Sequence, residues 1–311
     1  MPRLFALSFI WGWSFLFIRV AGQDLTPSAV AAGRTFLGAV VLLAVLRIKH
    51  IPVPRDRRTL LGLLFVGGVG SAIPFTLLAW GGQHIDSGLS AVLNASTPLF
   101  TAGLAVPLLG ERARPRVIAG LLLGFAGVAV VAGVGGSDLS GTHGLAVLAP
   151  VLAGLFYGLT FCFAARNLMD IPPVVAATGQ VVGATILLAP FALATTVADG
   201  SMPGPRQIGS MLVLGSIGTG VAYILSFRII ADLGPTVASL CTYIIPVVAL
   251  VVGAVVLDES ITLRVVIGGA ITIAAVAVVT RARQVAQRSA AADDAPLGPD
   301  VGTPAPQPEV T

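Results

Sequence analysis

The sequence predicts an all-α polytopic membrane protein of ten transmembrane helices, arranged as two inverted five-helix repeats. Three observations carry that expectation: a composition too apolar for a soluble surface, ten apolar stretches of spanning length, and an internal duplication with five stretches in each copy. Apolar residues make up 56% of the 311-residue chain and charged residues 10%, against about 25% charged in ordinary soluble chains. Mean hydropathy is +0.95. The 18 cationic residues are 17 Arg and Lys49, strung between apolar runs rather than along one face. That placement suits loops beside a membrane and argues against nucleic acid as a partner. Cys162 and Cys241 both fall inside apolar runs, so no disulfide framework is expected, nor any metal or other cofactor.

A bilayer-spanning helix needs roughly 20 mostly apolar residues, and the stretches follow in order at about 4–21, 27–46, 60–80, 87–108, 115–133, 144–165, 173–195, 208–227, 235–257 and 263–280. Arg3 followed by an apolar run resembles a signal peptide. Trp11, Trp13 and Arg19 are poor company for a cleaved segment, and the duplication requires it, so it is kept as span one. Pro27 opens span two; span three follows Arg57 and Arg58; span four lies between Asp86 and Glu111. Pro115 opens span five and Pro173 opens span seven, while short loops of Pro, Gly, Asp and Arg separate the remaining spans. Beyond Arg281 the chain is rich in Ala, Pro, Asp and Gly, and 281–311 is expected to be a disordered cytoplasmic tail.

Orientation follows from Arg and Lys in short loops. With a cytoplasmic N-terminus, the inner segments hold Arg3, Arg47, Lys49, Arg55, Arg57, Arg58, Arg112, Arg114, Arg116, Arg166, Arg228, Arg281, Arg283 and Arg288. The outer loops hold only Arg206 and Arg264. Both termini are therefore expected on the cytoplasmic side of a plasma (inner) membrane.

A shift of 146 pairs Gly12, Ser14, Pro27, Gly33 and Leu42 with Gly158, Thr160, Pro173, Gly179 and Leu188. A shift of 148 pairs Gly67, Gly70, Pro98, Leu109, Glu111 and Gly120 with Gly215, Gly218, Pro246, Leu257, Glu259 and Gly268. Because each copy has an odd number of spans, the second enters the membrane from the opposite side. Inverted repeats of this kind allow two exchangeable packings around a midplane site, which is alternating-access transport.

Trp11-Gly12-Trp13-Ser14-Phe15, Pro27 and Arg34, the Pro98 to Glu111 stretch, and Pro246 with Leu257-Asp258-Glu259 resemble the drug/metabolite transporter superfamily in its EamA-domain branch. The resemblance divides the chain into a first EamA-like five-helix repeat at 4–133 and a second, inverted one at 144–280. It implies a ten-helix exporter or exchanger of amino acids, metabolites or small drugs in a bacterial plasma membrane, without naming the substrate.

Several residues are candidates for the transport path. Ser87, Ser90, Asn94, Thr97 and Thr101 share one helical face of span four, and Ser216, Thr219, Tyr223 and Ser226 repeat the spacing in span eight. Such a stripe serves either a hydrated path or interhelical and backbone hydrogen bonding. Pro98 removes the bond to the carbonyl of Asn94, and Pro246 the bond to that of Thr242, offering two helix breaks as substrate ligands or as packing kinks. Trp11, Tyr157, Tyr223 and Tyr243 are candidate cavity aromatics. Glu111 and Glu259, just before spans five and ten, suit the positive N-terminal ends of those helices. Gly120, Gly124 and Gly127 form a small-residue seam for close packing or for a dimer, so the chain is expected to be a monomer or homodimer among lipids.

Arg34 lies well inside span two and needs a partner. It either pairs structurally with Asp24, Asp86 or a free carbonyl, or binds a substrate carboxylate; its counterpart in the second copy is Gln180. No enzyme constellation and no phosphate-binding loop is present, so catalytic residues are not expected and an ATP-driven pump is excluded for this chain alone. The expectation is an alternating-access secondary transporter, an exporter or exchanger of small metabolites such as amino acids or related amphiphilic compounds. The alternatives are a flippase or channel, which would differ in flux behaviour, and a lipid-modifying membrane enzyme, which would need intramembrane acids or histidines.

Overall fold

A computed structural model describes residues 2–112, 114–133, 141–199, 203–226, 228–229 and 241–293. The regular structure among these residues is helical. The helices are α1 Pro2–Ala21, α2 Pro27–Ile48, α3 Arg57–His84, α4 Ser87–Leu109, α5 Pro115–Ala132, α6 Gly141–Asn167, α7 Pro173–Asp199, α8 Pro205–Ser226, α9 Cys241–Leu257 and α10 Leu263–Asp293. Among the described residues nine are long and apolar enough to cross a membrane; α9, with 17 described residues, falls short. The span expected at 235–257 is described only from Cys241, and its first part lies outside the described residues.

Local chemistry sets the helix ends. Thr26 accepts a hydrogen bond from the Ala29 N–H at 3.3 Å ahead of Pro27, and Asp56 accepts one from Thr59 at 2.8 Å to start α3. Gly110 and Gly133, with φ of 70° and 74°, close α4 and α5 in the left-handed conformation. α10 runs through Asp293, which corrects the expected disorder of 281–293. Ala, Gln and Arg dominate that stretch and are good helix formers. Arg283, on this extension, grips Glu111 in a two-pronged pair at 2.5 and 2.9 Å. The part of the tail beyond Asp293 lies outside the described residues.

Two helices are wound more loosely near their middles. α3 contains a π turn at Gly68–Ala72 and α8 one at Ser216–Val221. α4 is interrupted at Ala95 and Ser96, immediately before Thr97 and Pro98.

Helices of the first copy pack mainly on helices of the second. α2 lies against α7 and α8, α1 against α8 and α9, α3 against α6 and α7, α4 against α6 and α9, and α5 against α10. Gly120 and Gly127 abut Val279 and Thr272 of α10, and Gly124 abuts Leu99 of α4, so the glycine seam serves packing within the chain. Outward faces stay apolar: Leu122 is 69% exposed, Phe191 66% and Val255 76%, as lipid-facing side chains are. One end of the bundle gathers Asp24, Gly204, Asp86 and Glu259. At the opposite end Arg166 donates to the Leu108 carbonyl and Arg283 holds Glu111.

Candidate functional site

The charge deepest in the bundle is Arg34 on α2, only 6% exposed. Its Nε donates to Thr219 Oγ1 at 2.8 Å, within the π turn of α8. The guanidinium carbon sits 3.9 Å above the ring of Phe75 on α3, a cation–π contact that offsets part of the desolvation cost. Among the described residues no carboxylate lies within ion-pair distance of Arg34. Neither anticipated partner reaches it. Asp24 accepts from the Gly204 N–H at 3.3 Å, and Asp86 pairs with Arg19 at 3.3 Å.

Gln180 on α7 makes a matching contact. Its Nε2 donates to Ser71 Oγ at 2.9 Å and to the Gly70 carbonyl at 3.1 Å, both in the π turn of α3. A π turn displaces carbonyls from the usual ladder and leaves them open to such side-chain donors. Gly70 is required by proximity: a Cβ there would fall 2.5 Å from Thr160 Cγ2 and 3.1 Å from Gln180 Nε2. Ser71 is also within hydrogen-bonding reach of the Tyr223 phenol. Tyr157 of α6 meets Phe75 edge-on at 6.5 Å, and both tyrosines are close enough to feel the Arg34 charge. Five helices thus converge on a polar and aromatic cluster.

The family model described as "EamA-like transporter family" matches residues 3–133 and 144–281. The chain belongs to the EamA-like transporter family. It is 28% identical to the "Probable terminal-alkyne amino-acid exporter" of Streptantibioticus cattleyicolor, over 87% of this chain and 90% of that protein. The inner membrane transporter YedA of Escherichia coli K12 is 27% identical, over 80% of each chain. The transporter YoaV of Bacillus subtilis is 22% identical, over 86% of this chain and 92% of that one. A solved crystal structure 19% identical to the chain shares the fold with TM-score 0.64, over 93% of this chain and 97% of the other.

In this EamA-like protein the expected candidates separate. Arg34, Tyr157, Gln180 and Tyr223 come together in the cluster. Trp11 packs instead with Leu4, Leu7, Leu225 and Ile244 where α1 meets α8 and α9. The Asn94 carbonyl, expected to be freed by Pro98, accepts a hydrogen bond from Thr97 Oγ1 at 2.8 Å. The Asn94 Oδ1 atom is buried without a partner among the described residues. Pro246 is enclosed within α9; the side chains of Thr242 and Tyr243 lie outside the described residues.

Ser71 and Phe75 escaped the reading of the sequence, although the 148-residue shift pairs them with Thr219 and Tyr223. Two open grooves lie elsewhere. One of about 270 Å³ is lined by Phe9, Trp13, Phe17, Val213 and Ile217, and the other by Phe65, Leu108, Cys162 and Arg166. Neither is lined by Arg34, which is enclosed by packing.

At the end that carries Asp86, the Arg19 guanidinium bridges Asp86 and Glu259, each at 3.3 Å, and also donates to the Ile85 carbonyl. Glu259 accepts from Ser87 N–H at 2.9 Å, Ser87 Oγ at 2.8 Å and Gly88 N–H at 3.2 Å. It therefore caps α4 rather than its own following helix. Glu111 likewise turns to Arg283. Burial pushes the Asp86 carboxyl above the usual carboxylate range, the Glu259 charge pushes the same way, and Arg19 and His143 pull back.

Proposed function

We propose that the chain is an alternating-access secondary transporter, an exporter or exchanger of small metabolites such as amino acids or related amphiphilic compounds. In this reading it has ten spans in two inverted five-helix repeats and sits in the plasma (inner) membrane with both termini cytoplasmic. One observation carries the proposal: Arg34 to Thr219 and Gln180 to Ser71 are the same contact made twice, since the two register shifts map Arg34 onto Gln180 and Ser71 onto Thr219. The helix pairings support it, because α1 on α9 corresponds to α6 on α4, and α2 on α8 to α7 on α3. A centre built from two equivalent halves is what a protein with two exchangeable packings requires. The names of the amino-acid exporter of Streptantibioticus cattleyicolor and of YedA point the same way.

Counterflow in liposomes tests the reading. Purified protein should give saturable uptake of at least one labelled amino acid or related metabolite, accelerated by unlabelled compound preloaded inside. Unitary currents would instead assign a channel, and lipid scrambling without solute flux a flippase.

A further inference from the structure

Resting on the reading of the central cluster as the transport site, we propose that Arg34 binds the carboxylate of a small monocarboxylate substrate, zwitterions included, and that the cluster rejects cations lacking a carboxylate. The charge on Arg34 is unbalanced among the described residues. A guanidinium placed in the low-dielectric interior of a membrane protein needs a counter-charge or a full set of acceptors. Arg34 has neither: Thr219 takes Nε, Phe75 covers one face, and the two Nη groups have no partner among the described residues. Arg34 is 6% exposed, so a ligand reaches the Nη donors only when the packing around them opens.

Geometry narrows the ligand. With Nε anchored on Thr219, the outer edge of the guanidinium presents its paired Nη donors, the arrangement that suits a two-oxygen acceptor such as a carboxylate. The equivalent position in the second repeat is neutral Gln180, so the cluster offers one positive charge and fits one carboxylate rather than two. Gln180 spends its amide nitrogen on Gly70 and Ser71, and its Oε1 has no partner among the described residues. That oxygen and the phenol of Tyr157 are acceptors for the ammonium of a zwitterion. A bare cation would meet the Arg34 charge with no described acid to receive it.

The test compares each amino acid with its own carboxamide, which keeps the side chain and the amine and removes only the negative charge. The full chain in lipid nanodiscs is assayed for binding by thermal shift and by competition, with a panel of amino acids, the matched carboxamides, and matched carboxylates lacking the amine. Wild-type protein should bind its best amino acid at least tenfold more tightly than the carboxamide. Arg34→Gln should erase that preference by weakening the acid and not the amide, and Arg34→Lys should keep part of it, since charge remains while the fork is lost.

Equal wild-type affinity for acid and amide would overturn the proposal without any variant having to fold. No binding by any carboxylate at millimolar concentration would overturn it as well. Stabilisation by chloride, against isethionate, equal to that by the best carboxylate would assign Arg34 to an inorganic counter-ion and also overturn it. Saturable counterflow of acids and amides alike would leave the transport reading standing while removing Arg34 from recognition; absence of counterflow for any compound would remove the transport reading itself.

Discussion

Arg34 and Thr219 are joined by a 2.8 Å hydrogen bond that ties α2 to the π turn of α8, and Gln180 and Ser71 repeat that bond at 2.9 Å between α7 and α3. The two contacts differ in charge and in redundancy. Gln180 has a second acceptor in the Gly70 carbonyl, whereas Arg34 Nε has Thr219. Thr219→Val keeps the branched shape and leaves a buried charged donor unpaired, which should cost about 1–3 kcal/mol. Ser71→Ala leaves the amide one acceptor and should cost less, about 0.5–1.5 kcal/mol. Denaturant titration of the two variants in micelles checks the order; equal losses would mean that the Arg34 bond is no more consequential than the amide bond.

The close seam between α5 and α10 gives a second expectation. A Cβ on Gly127 would meet Thr272 Oγ1 at 2.6 Å and Thr272 N at 2.8 Å, and backbone atoms cannot swing aside. Gly127→Ala should therefore destabilise by roughly 1–3 kcal/mol through overpacking. Gly209→Ala in α8, with nothing within 4 Å of the added carbon, should instead be neutral or stabilise by up to about 1 kcal/mol from helix propensity. Thermal midpoints of the two proteins, moving in the same direction, would argue against this packing account.

The sequence made the spans legible because lipid imposes length and hydropathy on every crossing helix. It also exposed Arg34, Tyr157, Gln180 and Tyr223, whose polarity or size is conspicuous in such a background. Rotation was not legible. A helix that is apolar on every face has no moment to say which side meets protein, and so Trp11 could be placed at a depth but not on a neighbour. The π turns at Gly68–Ala72 and Ser216–Val221 were hidden for a similar reason: their glycines look like those of any closely packed membrane helix. The fate of the Asn94 carbonyl depended on one side-chain torsion of Thr97, which spacing does not encode.

Membrane orientation is open to direct measurement. In a background lacking Cys162 and Cys241, single cysteines at the exposed positions Gln23, His84 and His143 should react with an impermeant reagent from outside the cell. Cysteines at the exposed positions Arg55, Arg114 and Asp170 should react only after permeabilisation. External labelling at Arg114 would reverse the proposed orientation.

Coupling follows from where the acids lie. The described acids sit at helix ends or in loops, Asp86 and Glu259 among them, so none stands midway along a span as a proton relay. Flux in liposomes should follow the substrate gradient or exchange, and an imposed pH gradient should not accumulate substrate. Accumulation driven by the pH gradient alone would require a titrating group in the path.

The Arg19 network at the end of α1 should show opposite responses to loss of its two acids. The Glu259 side chain is 7% exposed and accepts three hydrogen bonds at the start of α4 besides the Arg19 pair. Glu259→Gln removes the charge from those donors and should destabilise by about 1–3 kcal/mol at neutral pH. The Asp86 side chain is 42% exposed, and burial together with the Glu259 charge outweighs the pull of Arg19 and His143, so its carboxyl is raised. The sign then follows from linkage. Between the ordinary carboxylate range and the raised value the folded protein holds more protons than the unfolded chain, so stability falls as pH rises through that window. Above it, folding carries the full cost of an ionised Asp86. Asp86→Asn resembles the protonated acid and escapes that cost, so it should be the more stable protein at pH 7, by less than about 1 kcal/mol given solvent screening. The advantage should shrink as pH falls and vanish below about pH 4, where wild-type Asp86 is itself protonated. Thermal midpoints of both proteins between pH 4 and 8 measure the gap. A wild type more stable than Asp86→Asn at pH 7 would mean that the Arg19 ion pair prevails over burial and the repulsion from Glu259.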